Sequence, residues 1–136
     1  MVEIKIYYQG DLRTKAVHGP SGKELFTDAP KDNQGKGESF SPTDLVATAL
    51  GSCMMTIMGI VARNYKIDLS GLTCSVTKEM VSEPERRIGK LTVTMKFARN
   101  YSEKEKTMLE RAAMTCPVHK SISHDIEMPV KFVYPE

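Results

Sequence analysis

The strongest pattern along the chain is an uncharged run near its middle, where residues 45–62 hold eighteen consecutive uncharged residues. Ser41 suits an N-cap, Pro42 suits the first helical position, and Asp44 can return a hydrogen bond to the cap. The pattern predicts a helix from residue 42 to about residue 65, which is roughly 36 Å long at the usual helical rise. Its composition predicts burial on nearly every side.

A helix that is apolar nearly all round has to be covered. The run reaches the lower length limit of a membrane span, but Thr48, Ser52 and Thr56 weaken its preference for lipid. A second copy of the same chain is the simplest alternative cover. We therefore expect a homodimer and no membrane partner.

Alternating apolar and polar residues before and after this helix predict strands. The segment VEIKIYY alternates Val2, Ile4, Ile6 and Tyr8 with Glu3, Lys5 and Tyr7, which is typical of a strand with one buried face. Gly10 and Asp11 suit a tight hairpin turn. The predicted strands cover residues 2–8, 12–17, 23–27, 72–81, 88–97 and, at a sheet edge because of Pro129, 126–136.

A polar loop and two shorter helices complete the predicted order. Residues 29–38 have no apolar periodicity and contain two glycines, which indicates a mobile surface loop. Ser102 and Glu105 match a capping box that begins an amphipathic helix ending near Cys116. Pro117 then suits the first position of a further short helix. We expect one α+β domain over residues 1–136.

Composition and charge argue against several function classes. The chain has 136 residues, of which 40% are hydrophobic and 26% charged, as in one ordinary globular domain. A net charge of +2 offers no large field to attract nucleic acid or an anionic membrane. The amino terminus has no pattern of a secretory signal, so we expect a cytoplasmic protein.

The three cysteines are the main candidates for chemistry, and their odd number suits a reducing compartment. Cys74 shares a strand face with Leu72 and Val76, which indicates a core residue. Cys116 has two open interpretations: a thiol beside a helix N-terminus, where N–H groups favour a thiolate, or a packed residue. Cys53 has apolar helical neighbours and needs another group to activate it.

A metal site is a weaker hypothesis. Cys116, His119 and His124 lie within nine residues, but this spacing supplies only half of a zinc site. His18 lies far away along the chain. We therefore expect no metal.

Two cysteine motifs in a fixed order resemble those of a known family. The segment SPTDLVATALGSCMMTIM places Cys53 eleven residues after Pro42, and CPVHKSI places Cys116 sixty-three residues after Cys53. This pair is similar to the motifs of the OsmC and organic hydroperoxide resistance family of thiol peroxidases. The resemblance covers nearly the whole chain. It implies an amino-terminal antiparallel sheet, a long buried central helix, a second β-hairpin, short helices and a final strand, in an intertwined homodimer.

The same resemblance implies a reaction and a set of site residues. Cys53 corresponds to the peroxidatic thiolate, which becomes a sulfenic acid, and Cys116 to the thiol that resolves it as a disulfide. Arg13 corresponds to the family's arginine on the amino-terminal sheet, although it also suits a solvated strand residue. The implied substrates are lipophilic or aryl hydroperoxides, the reductant is a dithiol or lipoyl group, and no cofactor is needed.

The chain departs from the family pattern at one position. The family often has a glutamate directly after the helix-opening proline, where it holds the arginine, whereas this chain has Thr43 followed by Asp44. Asp44 either replaces that glutamate or caps the helix with Ser41, and we favour the cap. Two function classes follow: a cysteine-based organic hydroperoxidase, or a non-catalytic or differently catalytic homodimer that binds a small apolar ligand at the subunit interface.

Overall fold

The computed structural model describes residues 1–136 as a mixed α+β chain with two three-stranded sheets. Its strands and α-helices are β1 (Ile4–Gly10), β2 (Arg13–His18), β3 (Glu24–Asp28), α1 (Pro42–Asn64), β4 (Thr73–Val81), β5 (Arg87–Lys96), α2 (Glu103–Ala113), α3 (Pro117–Ser121) and β6 (Val130–Val133). The predicted α+β class and element order are confirmed. The chain forms two compact units, Met1–Val46 and Ala47–Glu136. The single-domain prediction stays a prediction.

The first unit is built on an antiparallel sheet in the order β1-β2-β3. The turn between β1 and β2 uses left-handed backbone at Gly10, Asp11 and Leu12, with φ of 83°, 53° and 63°. Glycine and aspartate tolerate this region, so the predicted hairpin turn is confirmed. The register places Arg13 opposite Asp28.

The apolar side chains of β1 are not buried within the single chain. Ile4, Ile6 and Tyr8 are 55%, 66% and 69% exposed. The alternating pattern correctly predicted a strand, whereas its buried face stays a prediction, because no apolar side chain of the first unit is buried within one chain. Strand periodicity reports which residues share a face and not what covers that face.

The segment between β3 and α1 folds back on itself. It contains a 3₁₀ turn, Lys31–Asn33, after which the Gly35 N–H donates to Pro30 O at 2.9 Å and the Gly37 N–H donates to Ala29 O at 3.1 Å. A Cβ at Gly35 would collide with the Ala29 carbonyl, so this approach requires glycine. These bonds bring the end of the segment, Glu38, back to the end of β3.

Helix α1 begins with the predicted cap. The Ser41 N–H donates to Asp44 Oδ2 at 2.9 Å, and the Asp44 N–H donates to Ser41 Oγ at 3.1 Å. This reciprocal pair satisfies two of the donors that a helix leaves unpaired at its start. The interpretation of Asp44 as a capping residue is confirmed.

Helix α1 is only partly buried within one chain. Its buried residues are Ala47, Leu50, Gly51, Met54, Met58 and Ala62. By length and composition the helix could cross a membrane, with a mean hydropathy of 2.0 over an eighteen-residue window of which 33% is buried. One such helix is weak evidence for a span, because the core helix of a soluble protein passes the same test. The expectation that a second copy of the chain covers the remaining sides stays a prediction.

The second unit contains the apolar core. Its sheet has the order β4-β5-β6, in which β5 pairs antiparallel with β4 and parallel with β6. Strand β6 follows Pro129 and lies at a sheet edge, as predicted. Gly51 of α1 lies against β4, where an added Cβ would be 2.9 Å from Val76 Cγ2 and 3.0 Å from Cys74 Sγ. The fully buried apolar side chains are Leu50, Met54, Met58, Leu91, Val93, Met95, Leu109, Ala113 and Cys116.

Helix α2 is anchored to the carboxyl-terminal segment by an aromatic cluster. The rings of Phe97 and Tyr134 stack at a centroid distance of 4.5 Å, and Tyr134 Oη donates to Glu110 Oε2 at 2.7 Å. The predicted capping box of Ser102 and Glu105 is present at the start of α2. These contacts fix the helix whose end leads to Cys116.

Candidate functional site

Cys53 lies at the border between the buried and exposed faces of α1. Its neighbour Met54 is fully buried, whereas Ser52 is exposed. The Cys53 thiol itself is half-buried and free. Helical geometry explains this position, because successive residues are turned by about 100° around the axis. The thiol is thus held by a rigid helix while keeping partial access to solvent.

Cys116 is both a packed residue and a helix N-cap. It has no exposed surface, and its Sγ accepts a hydrogen bond from the His119 N–H at 3.3 Å. Pro117 occupies the first turn of α3, as the sequence predicted. The two interpretations that the sequence left open therefore apply together: the thiol lies at a helix start and is buried in the core.

The thiols of Cys53 and Cys116 lie close enough together for Cys53 to raise the pKa of Cys116. They are sixty-three residues apart in sequence, and neither is in a disulfide. The structure therefore brings together two of the three predicted site residues.

Burial controls the protonation of Cys116. It raises the pKa of the Cys116 thiol, and the neighbouring Cys53 thiol raises that pKa further, whereas the backbone N–H groups of His119 and Val118 lower it. Desolvation outweighs the helix N-terminus, so the reduced Cys116 favours the thiol over the thiolate. A Cys116 that stays protonated can donate its S–H to the Cys53 sulfur.

Arg13 lies in the first unit, at the start of β2, and is held by two carboxylates. Arg13 Nη2 donates to Glu38 Oε2 at 2.7 Å and lies 3.6 Å from Asp28 Oδ2. Asp28 is nearly fully buried, and its Oδ2 also accepts the Glu38 N–H at 2.9 Å. Arg13 is therefore an ion-paired residue and not a merely solvated one. Its action on Cys53, which belongs to the second unit, stays a prediction.

Sequence reasoning missed Asp28 and Glu38. The hydrogen bond from Glu38 N–H is the largest cause of a lowered Asp28 pKa, and the charge of Arg13 lowers that pKa as well. Glu38 lies twenty-five residues from Arg13, at the end of a polar loop with no periodicity. The only hint in the sequence was Thr43, which stands where the family often has a glutamate that holds the arginine.

The remaining candidates have structural explanations. Burial raises the pKa of Cys74, whose sulfur faces Gly51 of α1, in agreement with its interpretation as a packing residue. His18 pairs with Ser21 Oγ at 2.6 Å through Nδ1. No group of three or more His, Cys, Asp or Glu side chains lies close enough together to hold a metal ion.

Comparison with known proteins adds a family and several solved structures. A family model described as OsmC-like protein matches residues 35–131. A crystal structure from Psychrobacter arcticus, provisionally described as an osmotic stress induced and detoxification response protein, is 50% identical, covers 97% of this chain and 96% of its own, and has a TM-score of 0.91. No match was found among curated protein sequences.

More distant structures share the fold. The organic hydroperoxide resistance protein OsmC of Legionella pneumophila is 15% identical, with 98% of this chain and 96% of that chain covered and a TM-score of 0.77. The organic hydroperoxide resistance protein OhrB of Bacillus subtilis is 14% identical, with 97% of each chain covered and a TM-score of 0.70. With most of its length matched by the family model, this chain belongs to the OsmC-like family.

Proposed function

We propose that the protein is a thiol-dependent peroxidase that reduces organic hydroperoxides. The observation that carries this proposal is the proximity of the thiols of Cys53, in α1, and Cys116, the N-cap of α3. A pair of adjacent thiols can give up two electrons to an oxidant and become a disulfide. The names of the Legionella and Bacillus relatives, which refer to organic hydroperoxide resistance, support the same substrate class.

The first step is attack by the Cys53 thiolate on the outer oxygen of the hydroperoxide. The oxygen–oxygen bond breaks, a sulfur–oxygen bond forms, and the leaving alkoxide takes a proton to become an alcohol. Cys53 is the attacking sulfur because it is half-buried and open to a substrate, whereas Cys116 has no exposed surface. Arg13 is the cation assigned to favour the thiolate, as the family resemblance implies.

The second step forms the disulfide. The Cys116 sulfur attacks the Cys53 sulfenic acid, the sulfur–oxygen bond breaks, and water leaves with the Cys116 proton. The Cys116 thiol, kept protonated by burial, carries the proton that this step requires. A dithiol or lipoyl group then reduces the disulfide by exchange, and we infer that this takes place in the cytoplasm, where such thiols stay reduced.

Thiol counting tests this function directly. The reduced protein receives one equivalent of cumene hydroperoxide, and free thiols are labelled and mapped by mass spectrometry. We expect a prompt loss of the thiols of Cys53 and Cys116 with retention of Cys74, which is the internal control. Cys53→Ser should abolish the reaction, and Cys74→Ser should leave it unchanged.

Two further outcomes distinguish the parts of the proposal. Cys116→Ser should still consume peroxide but stop at a Cys53 sulfenic acid, which dimedone traps as an adduct on that residue. Arg13→Ala should slow alkylation of Cys53 near neutral pH. Retention of all three thiols after peroxide would contradict the peroxidase and favour the non-catalytic ligand-binding alternative.

We also infer that the working unit is a homodimer. The first unit leaves large apolar side chains exposed on its sheet and after it, among them Ile4, Ile6, Tyr8, Phe26 and Phe40. Isolated exposed apolar residues are ordinary, but a whole sheet without a buried apolar side chain needs a cover to be stable. A second copy of this chain, closed by two-fold symmetry, supplies that cover.

A further inference from the structure

The two thiols of the pair differ in how open they are to a second molecule. Cys116 has no exposed surface, whereas Cys53 keeps part of its surface open to solvent. Thiol–disulfide exchange requires direct attack of a thiolate on one sulfur of the disulfide, so its rate depends on access to that sulfur. Once the two residues form a disulfide, an incoming thiolate therefore reaches the sulfur of Cys53 and not that of Cys116.

Attack on Cys53 makes Cys116 the leaving group. The electron pair of the broken sulfur–sulfur bond passes to Cys116, which leaves as a thiolate in the interior of the second unit. Burial disfavours a charged sulfur there and raises the pKa of the Cys116 thiol. A thiol with a raised pKa is a poor leaving group, so reduction of the disulfide needs groups that stabilise the departing charge.

Two backbone N–H groups in the first turn of α3 are placed to do this. The His119 N–H donates to Cys116 Sγ at 3.3 Å, and the N–H groups of His119 and Val118 both lower the pKa of Cys116. The first N–H groups of a helix have no partner within it, so they can turn to the sulfur without breaking another hydrogen bond. Hydrogen bonds to a charged acceptor are the stronger ones, so these contacts gain strength as the thiolate forms.

We propose that the Cys53–Cys116 disulfide is reduced by attack on the Cys53 sulfur, and that the N–H groups of His119 and Val118 stabilise Cys116 as the leaving thiolate. A bond forms between the reductant sulfur and Cys53 as the bond between Cys53 and Cys116 breaks. Cys116 then takes up a proton. The second thiolate of a dithiol reductant attacks the first reductant sulfur, which closes the reductant disulfide and releases Cys53 as a thiolate.

The order of these steps rests on the proposed function for its place in a catalytic cycle. The chemistry itself starts from the disulfide, which any thiol oxidant can produce. Diamide, an azo compound, oxidises two thiols to a disulfide and is itself reduced to a hydrazine. The reductive steps can therefore be tested without hydroperoxide.

Trapping the mixed disulfide shows which sulfur is attacked. Cys74→Ser protein, whose remaining cysteines are Cys53 and Cys116, is oxidised with diamide and mixed with excess 2-mercaptoethanol. Acid stops the exchange after short times, free thiols are labelled with a maleimide in denaturant, and the peptides are mapped by mass spectrometry. We expect the mercaptoethanol adduct on Cys53 and the maleimide on Cys116. An adduct on Cys116, equal adducts on both, or failure of diamide to join the pair would overturn the proposal.

His119→Pro tests the role of the N–H groups. Proline has no N–H, and His119 lies in the first turn of α3, where proline is best tolerated. His119→Ala is the matched control, because it removes the imidazole and retains the N–H. We expect mercaptoethanol to cleave the disulfide of His119→Pro about threefold to tenfold more slowly than that of His119→Ala. Local loosening of α3 would expose the disulfide and speed its cleavage, so a slower rate reports the lost hydrogen bond.

Val118→Pro, compared with Val118→Ala, repeats this test at the second N–H group and replaces it if His119→Pro does not fold. Rates in the proline variants that equal those of their alanine controls would overturn the role of the N–H groups.

The proposed function and this inference fail in different ways. Retention of all thiols after cumene hydroperoxide, together with a mercaptoethanol adduct on Cys53 after diamide, would overturn the peroxidase and retain the order of reduction. Prompt oxidation by the hydroperoxide together with an adduct on Cys116 would retain the peroxidase and overturn the inference.

Discussion

The two compact units bury different kinds of side chain. In the first unit, Met1–Val46, the only buried side chains are the polar Thr27, Asp28 and Ser41. In the second unit, Ala47–Glu136, the buried side chains are apolar and come mainly from α1, the β5 strand and α2. The second unit therefore has a hydrophobic core of its own, whereas the first is organised by hydrogen bonds and ion pairs.

This difference separates the chemistry of the two units. An apolar core desolvates Cys116 and raises its pKa, which keeps the thiol protonated. A polar cluster, in which the Glu38 N–H donates to Asp28 and Arg13 lies beside it, lowers the pKa of Asp28 and keeps it ionised. The second unit is suited to hold a pair of thiols, and the first is suited to hold a charged group.

The largest expected effect is the loss of a core side chain in the second unit. Leu91 has no exposed surface, so Leu91→Ala should lower the free energy of unfolding by about 2–5 kcal/mol. Leu25 of the first unit is 45% exposed, and Leu25→Ala should cost about 0.5 kcal/mol or less. Urea unfolding at a protein concentration that populates the monomer measures both. Equal losses would contradict the contrast between the units.

A charged side chain introduced on the exposed sheet of the first unit should weaken the proposed dimer. It should not change the stability of the core of the second unit. Ile6→Lys should weaken the proposed dimer by about 100-fold, because burying an unpaired charge is costly. Light scattering after size exclusion should show a shift from twice the chain mass to 15.2 kDa. Lys5→Gln, on the opposite side of β1, is the control and should keep the dimer. A wild-type chain that is monomeric at all concentrations would show that a second copy does not cover this sheet.

Removal of a serine N-cap should lower the free energy of unfolding more where the serine is buried than where it is exposed. Ser102→Ala, at the exposed start of α2, should lower the free energy of unfolding by about 1 kcal/mol. Ser41 is only 1% exposed, so Ser41→Ala at the start of α1 should cost about 2 kcal/mol, at the upper end of cap effects. The midpoints of urea unfolding provide the comparison. A larger loss at Ser102 would contradict the role of burial.

The smallest expected effects are changes in the pH dependence of stability, and they have opposite directions in the two units. Asp28 has a lowered pKa when folded, so its contribution is present above the ordinary value of 3.8 and is lost as the pH falls through the folded pKa. Cys116 has a raised pKa when folded, so its contribution is present below the ordinary value of 9.0 and is lost as the pH rises through the folded pKa.

Thermal unfolding across the pH range separates these contributions. Asp28→Asn should flatten the fall in melting temperature on the acid side, and Cys116→Ala should flatten the fall on the alkaline side. If the melting temperature of Asp28→Asn falls towards acid pH as steeply as that of the original protein, the fold does not hold Asp28 in its charged form.

Much of the local structure could be predicted from the sequence. The cap of α1, the capping box of α2, the turn at Gly10 and the short helix after Pro117 all depend on residues within a few positions of one another. The residues that form these caps and turns lie within one or two turns of backbone from one another, so a short sequence pattern is enough to predict them. The family motifs added the pairing of Cys53 with Cys116, which no spacing rule supplies.

The partners of Arg13 could not be predicted in this way. Glu38 reaches Arg13 because the segment after β3 folds back through Gly35 and Gly37, and Asp28 because of the register between β2 and β3. Both depend on contacts between residues distant in sequence. The same limit applies to β1, where the pattern predicted a buried face but not what covers it, and one chain leaves that face exposed.

The sequence by itself determined the α+β class, the order and approximate bounds of the elements, the helix caps and the cysteine motifs, because these depend on local propensity, periodicity and spacing. Only the tertiary structure decided that the thiols of Cys53 and Cys116 meet, that burial outweighs a helix N-terminus at Cys116, and that Asp28 and Glu38 hold Arg13. These outcomes depend on desolvation and on distances between residues far apart in the chain, which no local pattern encodes.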